Sequence, residues 1–129
     1  MVPNYSSDTL KLVSLLHDIS KTNFYETYQR NVKDENGQWV QVQEYKTRDA
    51  EHRFIYGSHE QNAEYMASTF FPLSVEERVA ILHHHANQSW DSAQDNIAEI
   101  FTKFPLALFL HLADMLSTFV VETRDESNN

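Results

Sequence analysis

His17 and Asp18 stand side by side at the end of an aliphatic run, Leu10, Leu12, Val13, Leu15, Leu16 and Ile19. These apolar positions fall on every side of a helix rather than on one stripe, the pattern of a buried helix. A carboxylate there must meet a partner or a cation, because an isolated buried charge is costly or takes up a proton. Asp114 interrupts a second such run, Leu106 to Val120, with His111 three residues before it on the same helix face. His59 follows Ser58 at the first turn of another helix, where the positive dipole end disfavours imidazolium and leaves the ring neutral, as a ligand must be. The run His83-His84-His85 ends a fourth helix. Paired carboxylates with imidazoles suit a divalent cation held by mixed N and O ligands. The chain has no cysteine, so Mn, Fe, Co, Ni or Mg fits better than structural zinc. Singly, each signal has an ordinary explanation: an isolated His-Asp pair is more often a hydrogen-bonded histidine beside a helix-end carboxylate, and His111 reads as a core histidine. Two apolar helices, each broken by an aspartate, shift the balance toward a shared site.

The elements that must position these groups can be read in order. Ser6, Ser7 and Asp8 are all good N-caps for a first helix running to about Thr22. Residues 27 to 47 then alternate and favour strands, with Asn36-Gly37 between them, which predicts a projecting hairpin. Ser58 with Gln61 makes a capping box ahead of the stripe Ala63, Met66, Ala67 and Phe70, and Pro72 stops that helix. Ser74 with Glu77 makes a second box, opening a helix through Val75, Val79 and Leu82 to the histidine run. A loop is expected from Asn87 to Asp95 and a short helix from Asn96 to Lys103. Pro105 suits the first position of a last helix reaching about Glu122, and the tail from Thr123 to Asn129 frays. The expectation is a single domain over residues 1–129: an all-α core of about five helices, those bearing His17 and Asp114 packed centrally, with a small β-hairpin insertion.

Composition narrows the chemistry. The net charge is −9, with ten Lys and Arg, so long nucleic acid is an unlikely partner because too few cations face its phosphates. A small nucleotide remains compatible if metals carry the positive charge. The absence of cysteine excludes disulfides and thiolate chemistry. No uninterrupted apolar run of membrane-spanning length and no signal pattern stand out, so no membrane contact and a cytoplasmic location are expected.

The ordered set His17-Asp18-Ile19-Ser20-Lys21, Gly57-Ser58-His59-Glu60, the histidines at 83–85, and His111-Leu112-Ala113-Asp114 resembles the HD-domain superfamily of metal-dependent phosphohydrolases. It is similar in particular to bacterial and phage members with a hairpin after the His-Asp helix, and the match covers roughly Thr9 to Glu122. The resemblance implies an HD-like helical bundle in which His17, Asp18 and Asp114 are metal ligands. It implies that His59 and one histidine of the run, His84 fitting best, hold phosphate or a second metal. Asp18 would orient the attacking water, and Lys21 would hold a phosphate as a point charge. The family also places a metal-ligating histidine on a helix upstream of the His-Asp pair, and this chain has no histidine before His17. Either the site is incomplete, or another residue such as His52 replaces it, or the chain is a shortened form.

Three functions fit these residues. One is a phosphohydrolase acting on a nucleotide or small phosphoester, with weakened activity. The second is a degenerate module that binds metal or nucleotide without turnover. The third is an interaction protein whose hairpin, with Tyr28, Trp39 and Tyr45, contacts a partner, although such aromatics are commonly cross-strand packing. Apolar surface left uncovered beside the His-Asp helix makes a homo-oligomer plausible.

Overall fold

The computed structural model describes residues 3–55, 57–86 and 96–122, so the expected loop at 87–95 and the tail at 123–129 lie outside the described residues. The chain begins with α1 (Ser7–Leu16), capped by Ser6, whose Oγ accepts from the Thr9 amide at 3.1 Å. The expected single helix to Thr22 is broken. After His17 the bonds tighten to i→i+3, Ile19 to Leu16 and Lys21 to Asp18, before a short α2 (Lys21–Phe24). The break has a tertiary cause: Asp18 and Ser20 direct their side chains to His59 across the molecule.

From α2 the chain passes straight into β1 (Tyr25–Lys33), which pairs antiparallel with β2 (Trp39–Thr47) in register Tyr25↔Thr47 through Lys33↔Trp39. The turn is tied by Asp34. Its carbonyl accepts from Gly37 N at 3.0 Å, and its Oδ1 accepts from the Asn36 and Gln38 amides. Gly37 alone in this turn takes a left-handed φ, +74°, so the turn is type I with a glycine bulge rather than a two-residue mirror-image turn. The hairpin was expected as a small appendage to an all-α bundle, and that fold class is wrong. The described residues are 56% helical and 16% strand, a mixed α and β architecture in which two nine-residue strands form the connection from α2 toward α3.

A 3-10 turn, Ala50–His52, precedes α3 (His59–Phe70), and α4 (Val75–Leu82) follows. Both expected capping boxes are present, Ser58 with Gln61 and Ser74 with Glu77. Then come α5 (Ile97–Lys103) and α6 (Pro105–Leu116), which continues as a π-helical turn, Ser117–Glu122. The central helix is α4, packed against α1, α3 and α6, whereas α1 and α6 were expected to be the central pair. The reason is side-chain size. Ala63 and Ala67 of α3, Ala80 of α4 and Ala107 of α6 are all fully buried, and such small residues permit close helix approach around α4. Ile81, Leu106, Leu110 and Val13 fill the remaining core.

All-round apolarity did not mean all-round burial. Val13 is the one buried residue of α1, and Leu15 is 78% exposed. The stretch Pro105–Glu122 is long and apolar enough, by length and composition alone, to cross a membrane, although His111, Asp114, Ser117 and Thr118 interrupt it. Its inward face, Leu106, Ala107 and Leu110, is nonetheless part of the core.

Candidate metal centre

Four segments meet at one place: the turn after α1, the start of α3, the turn after α4 and the last turn of α6. The break after Leu16 turns Asp18 toward α3, whose first residue is His59. Asp18 Oδ1 lies 2.6 Å from His59 Nε2, a contact that a proton or a cation must bridge. His84 Nε2 stands 3.7 Å from the same oxygen. On the other side of the carboxylate, His17 Nε2 is 3.6 Å from Asp18 Oδ2 and also 3.6 Å from Asp114 Oδ1. His85 Nε2 approaches Asp114 Oδ2 at 3.8 Å. Asp18, His59, His84 and His85 each offer one ligand atom, all within 4.8 Å of one another, and this set could hold a metal ion.

The outer nitrogens explain why the inner ones point this way. His17 Nδ1–H donates to the Ser14 carbonyl at 2.8 Å, and His84 Nδ1–H to the Ile81 carbonyl at 2.6 Å. His85 Nδ1–H donates to Glu60 Oε1 at 2.7 Å. Ser20 Oγ gives its proton to the His59 carbonyl at 2.9 Å, so at 2.5 Å it accepts from His59 Nδ1–H. Each ring is thus oriented from behind by an oxygen, the arrangement typical of ligating histidines. The sharpest test of fit is His84. Its ring is fully buried and its Nε2 has no hydrogen-bond partner, although buried polar atoms are rarely left so. A lone pair in that position, facing a carboxylate, suits a cation.

The carboxylates are tuned accordingly. Burial is the largest single influence on Asp18 and works to raise its pKa. The contacts from His59, His84 and Lys21, with His17 nearby, together outweigh it and hold the group well below the usual carboxylate range. Burial also acts upward on Glu60, but its own main-chain N–H, the Ser58 hydroxyl and His85 bring it down to about 2. Lys21 Nζ lies 2.5 Å from Asp18 Oδ2. Burial opposes protonation of this lysine, and the bond to Asp18 overrides it, so its pKa is raised.

Of the residues singled out in the sequence, His17, Asp18, His59, His84 and Asp114 gather here, with Lys21 at the rim. His52 does not replace an upstream ligand: it is exposed, 4.0 Å from Asp49 and Glu51. His111 behaves as a structural histidine, its Nδ1–H donating to the His84 carbonyl at 2.7 Å while the ring stacks near Phe101. The sequence left the histidine run open among three positions. His83 is the C-cap of α4, and both His84 and His85 reach the cluster. They can do so because α4 stops at Leu82 and the chain turns, with Ala86 at φ +50°, a left-handed conformation that costs a residue with a Cβ about 1–2 kcal/mol. Sequence reasoning missed Glu60, since an acid in the first turn of a helix reads as a dipole partner, and only its burial tells otherwise. No family model, curated protein or solved structure matches this chain.

Proposed function

We propose that the chain is a metal-dependent phosphohydrolase acting on a nucleotide or small phosphoester, with the chemistry of HD-type enzymes and weakened turnover. The observation that carries this reading is the convergence of four imidazoles, His17, His59, His84 and His85, each held from behind at Nδ1, on the carboxylates of Asp18 and Asp114. Asp18 presents one oxygen to His59 and His84 and the other to His17, so it can serve cations on both sides. Mn, Fe, Co, Ni and Mg all accept such a mixed donor set. A bound divalent cation supplies a water of lowered pKa and a polarising charge for a phosphoryl oxygen. Asp18 would orient the attacking water. Lys21, half-exposed and flexible, holds a phosphate oxygen as a point charge once it leaves Asp18. Hydrolysis would form a P–O bond to water and break the ester P–O bond, the attacking water losing one proton and the leaving oxygen gaining one.

The Lys21–Asp18 contact also favours a second reading, a module that binds metal or nucleotide without turning it over. Lys21 neutralises the Asp18 oxygen a cation needs, so a cation must displace it, and occupancy needs excess metal. The test is phosphate release from a nucleotide panel in excess Mn²⁺, wild type against Asp114→Asn. Slow release that the substitution abolishes supports the enzyme. Metal binding with no release in either protein supports the module.

A further inference from the structure

We propose that Glu60 is a positioning residue that makes His85 a metal ligand by fixing the direction of its ring. This rests on the reading of the cluster as a metal centre. His85 lies beyond the end of α4, in a turn closed by the left-handed Ala86, and its ring is about one-third exposed. Nothing in helix geometry fixes such a ring.

Two contacts do. His111 donates to the His84 carbonyl and holds the turn's backbone at 2.7 Å. Glu60 Oε1 accepts from His85 Nδ1–H at 2.7 Å and holds the ring. The ring then lies stacked over His59, centroids 5.4 Å apart at 26°, and 4.0 Å from the His84 ring.

Glu60 is 5% exposed, a poor place for a carboxylate unless its bonds are specific. It neighbours His59 at the start of α3, so one helix turn supplies both a candidate ligand and the carboxylate that orients another. With the Nδ1 proton given to Glu60, the nitrogen left to bind a cation is Nε2, on the side of Asp114 Oδ2. A carboxylate behind an imidazole fixes the ring's direction and makes its free nitrogen a better donor to a cation.

The test uses Co²⁺ as the probe, titrated into the full chain while its visible absorption is followed. Glu60→Ala is expected to weaken Co²⁺ binding by about 10–100-fold and to change the spectrum, as loss of an orienting partner does. Glu60→Gln keeps an oxygen that accepts Nδ1–H, so it retains most of the affinity and controls for a folding defect in the alanine variant. His85→Ala matches Glu60→Ala, and adding Glu60→Ala to His85→Ala costs nothing more. Wild-type binding by Glu60→Ala overturns the proposal. So does an equal loss from Glu60→Ala with and without His85, which marks a structural role only.

Nitrogen NMR of the metal-free protein gives an independent readout. His85 is expected as the Nδ1–H tautomer in wild type and Glu60→Gln, and not in Glu60→Ala. An Nε2–H tautomer in wild type overturns the proposal whatever the metal does. The expected tautomer in a protein that takes up no Co²⁺ overturns the metal reading itself, and the ligand role of His85 with it.

Discussion

Asp18 Oδ1 and His59 Nε2 lie 2.6 Å apart and join the turn after α1 to the first residue of α3. Asp18→Asn removes the charge at the centre of this contact and of the Lys21 pair. Divalent-cation binding should be lost. Stability should fall by roughly 1–3 kcal/mol, the usual cost of weakening a hydrogen bond to a charged group. Isothermal titration with Mn²⁺ and chemical unfolding check the two effects separately, and undiminished Mn²⁺ affinity sinks Asp18 as a ligand.

Acid sensitivity follows from the same carboxylates. Asp18 and Glu60 are both more acidic folded than unfolded, so each contributes stability that is present above its unfolded pKa and lost as pH falls. For Glu60 the window runs from its ordinary 4.5 down to about 2. Thermal midpoints of the metal-free protein should therefore decline below about pH 4.5. Glu60→Gln should flatten part of that slope, and a slope identical to wild type rules Glu60 out as a contributor.

Lys21 and a cation compete for Asp18 Oδ2. Lys21→Met should accordingly raise Mn²⁺ affinity several-fold while lowering affinity for inorganic phosphate added to the metal-loaded protein. If both affinities fall together, Lys21 supports the site rather than contesting it.

How much of this was legible in the sequence depends on what sets each feature. Helix starts were, because Ser58 with Gln61 and Ser74 with Glu77 act within one turn. The hairpin was, because its turn is set locally, by Gly37 in the left-handed conformation and by Asp34, which accepts from Asn36, Gly37 and Gln38. His17, Asp18 and Asp114 stood out because polar groups interrupt apolar runs, and His59 because it opens a capped helix. The break after Leu16 was not legible, since bonds to His59, far along the chain, create it. Nor could spacing choose within the histidine run, because α4 ends before His84 and a helical period no longer applies. Burial was overestimated for α1 and α6, where Leu15 and Leu116 face outward.

The two glycines should respond differently to alanine. At Gly37 an added Cβ meets nothing within 4 Å, so Gly37→Ala costs only the left-handed backbone, about 1–2 kcal/mol. At Gly57, φ is +136° and the Cβ would lie 2.9 Å from Gln61 Oε1, which accepts from the Ser58 amide in the capping box. Gly57→Ala should cost more and should also disturb His59, so it alone of the pair should weaken metal binding. Unfolding curves and a Mn²⁺ titration on both variants decide this.

Leu112, Met115, Leu116, Phe119 and Val121 are exposed along one continuous helical stretch whose sole charged residue before Glu122 is Asp114. Apolar surface of this extent favours contact with other molecules. Sedimentation should show self-association that rises with concentration, and the double substitution Leu116→Glu with Phe119→Glu should abolish it without touching Mn²⁺ affinity. A wild-type chain monomeric at every concentration tested removes self-contact as the use of this face.

The residues of the cluster come from positions 18, 59, 84 and 85, with Asp114 beside them. A cation held there acts as a cross-link, closing loops that span most of the chain in a protein that has no cysteine to make one. It pins α1, α3, the end of α4 and, through Asp114, α6, around a core that includes four alanines. At a free metal concentration 100 times its dissociation constant, such binding adds about 2.7 kcal/mol to stability. Chelation would loosen the fold as reduction loosens a disulfide-stapled one, and the abundance of folded chain would follow the metal supply around it.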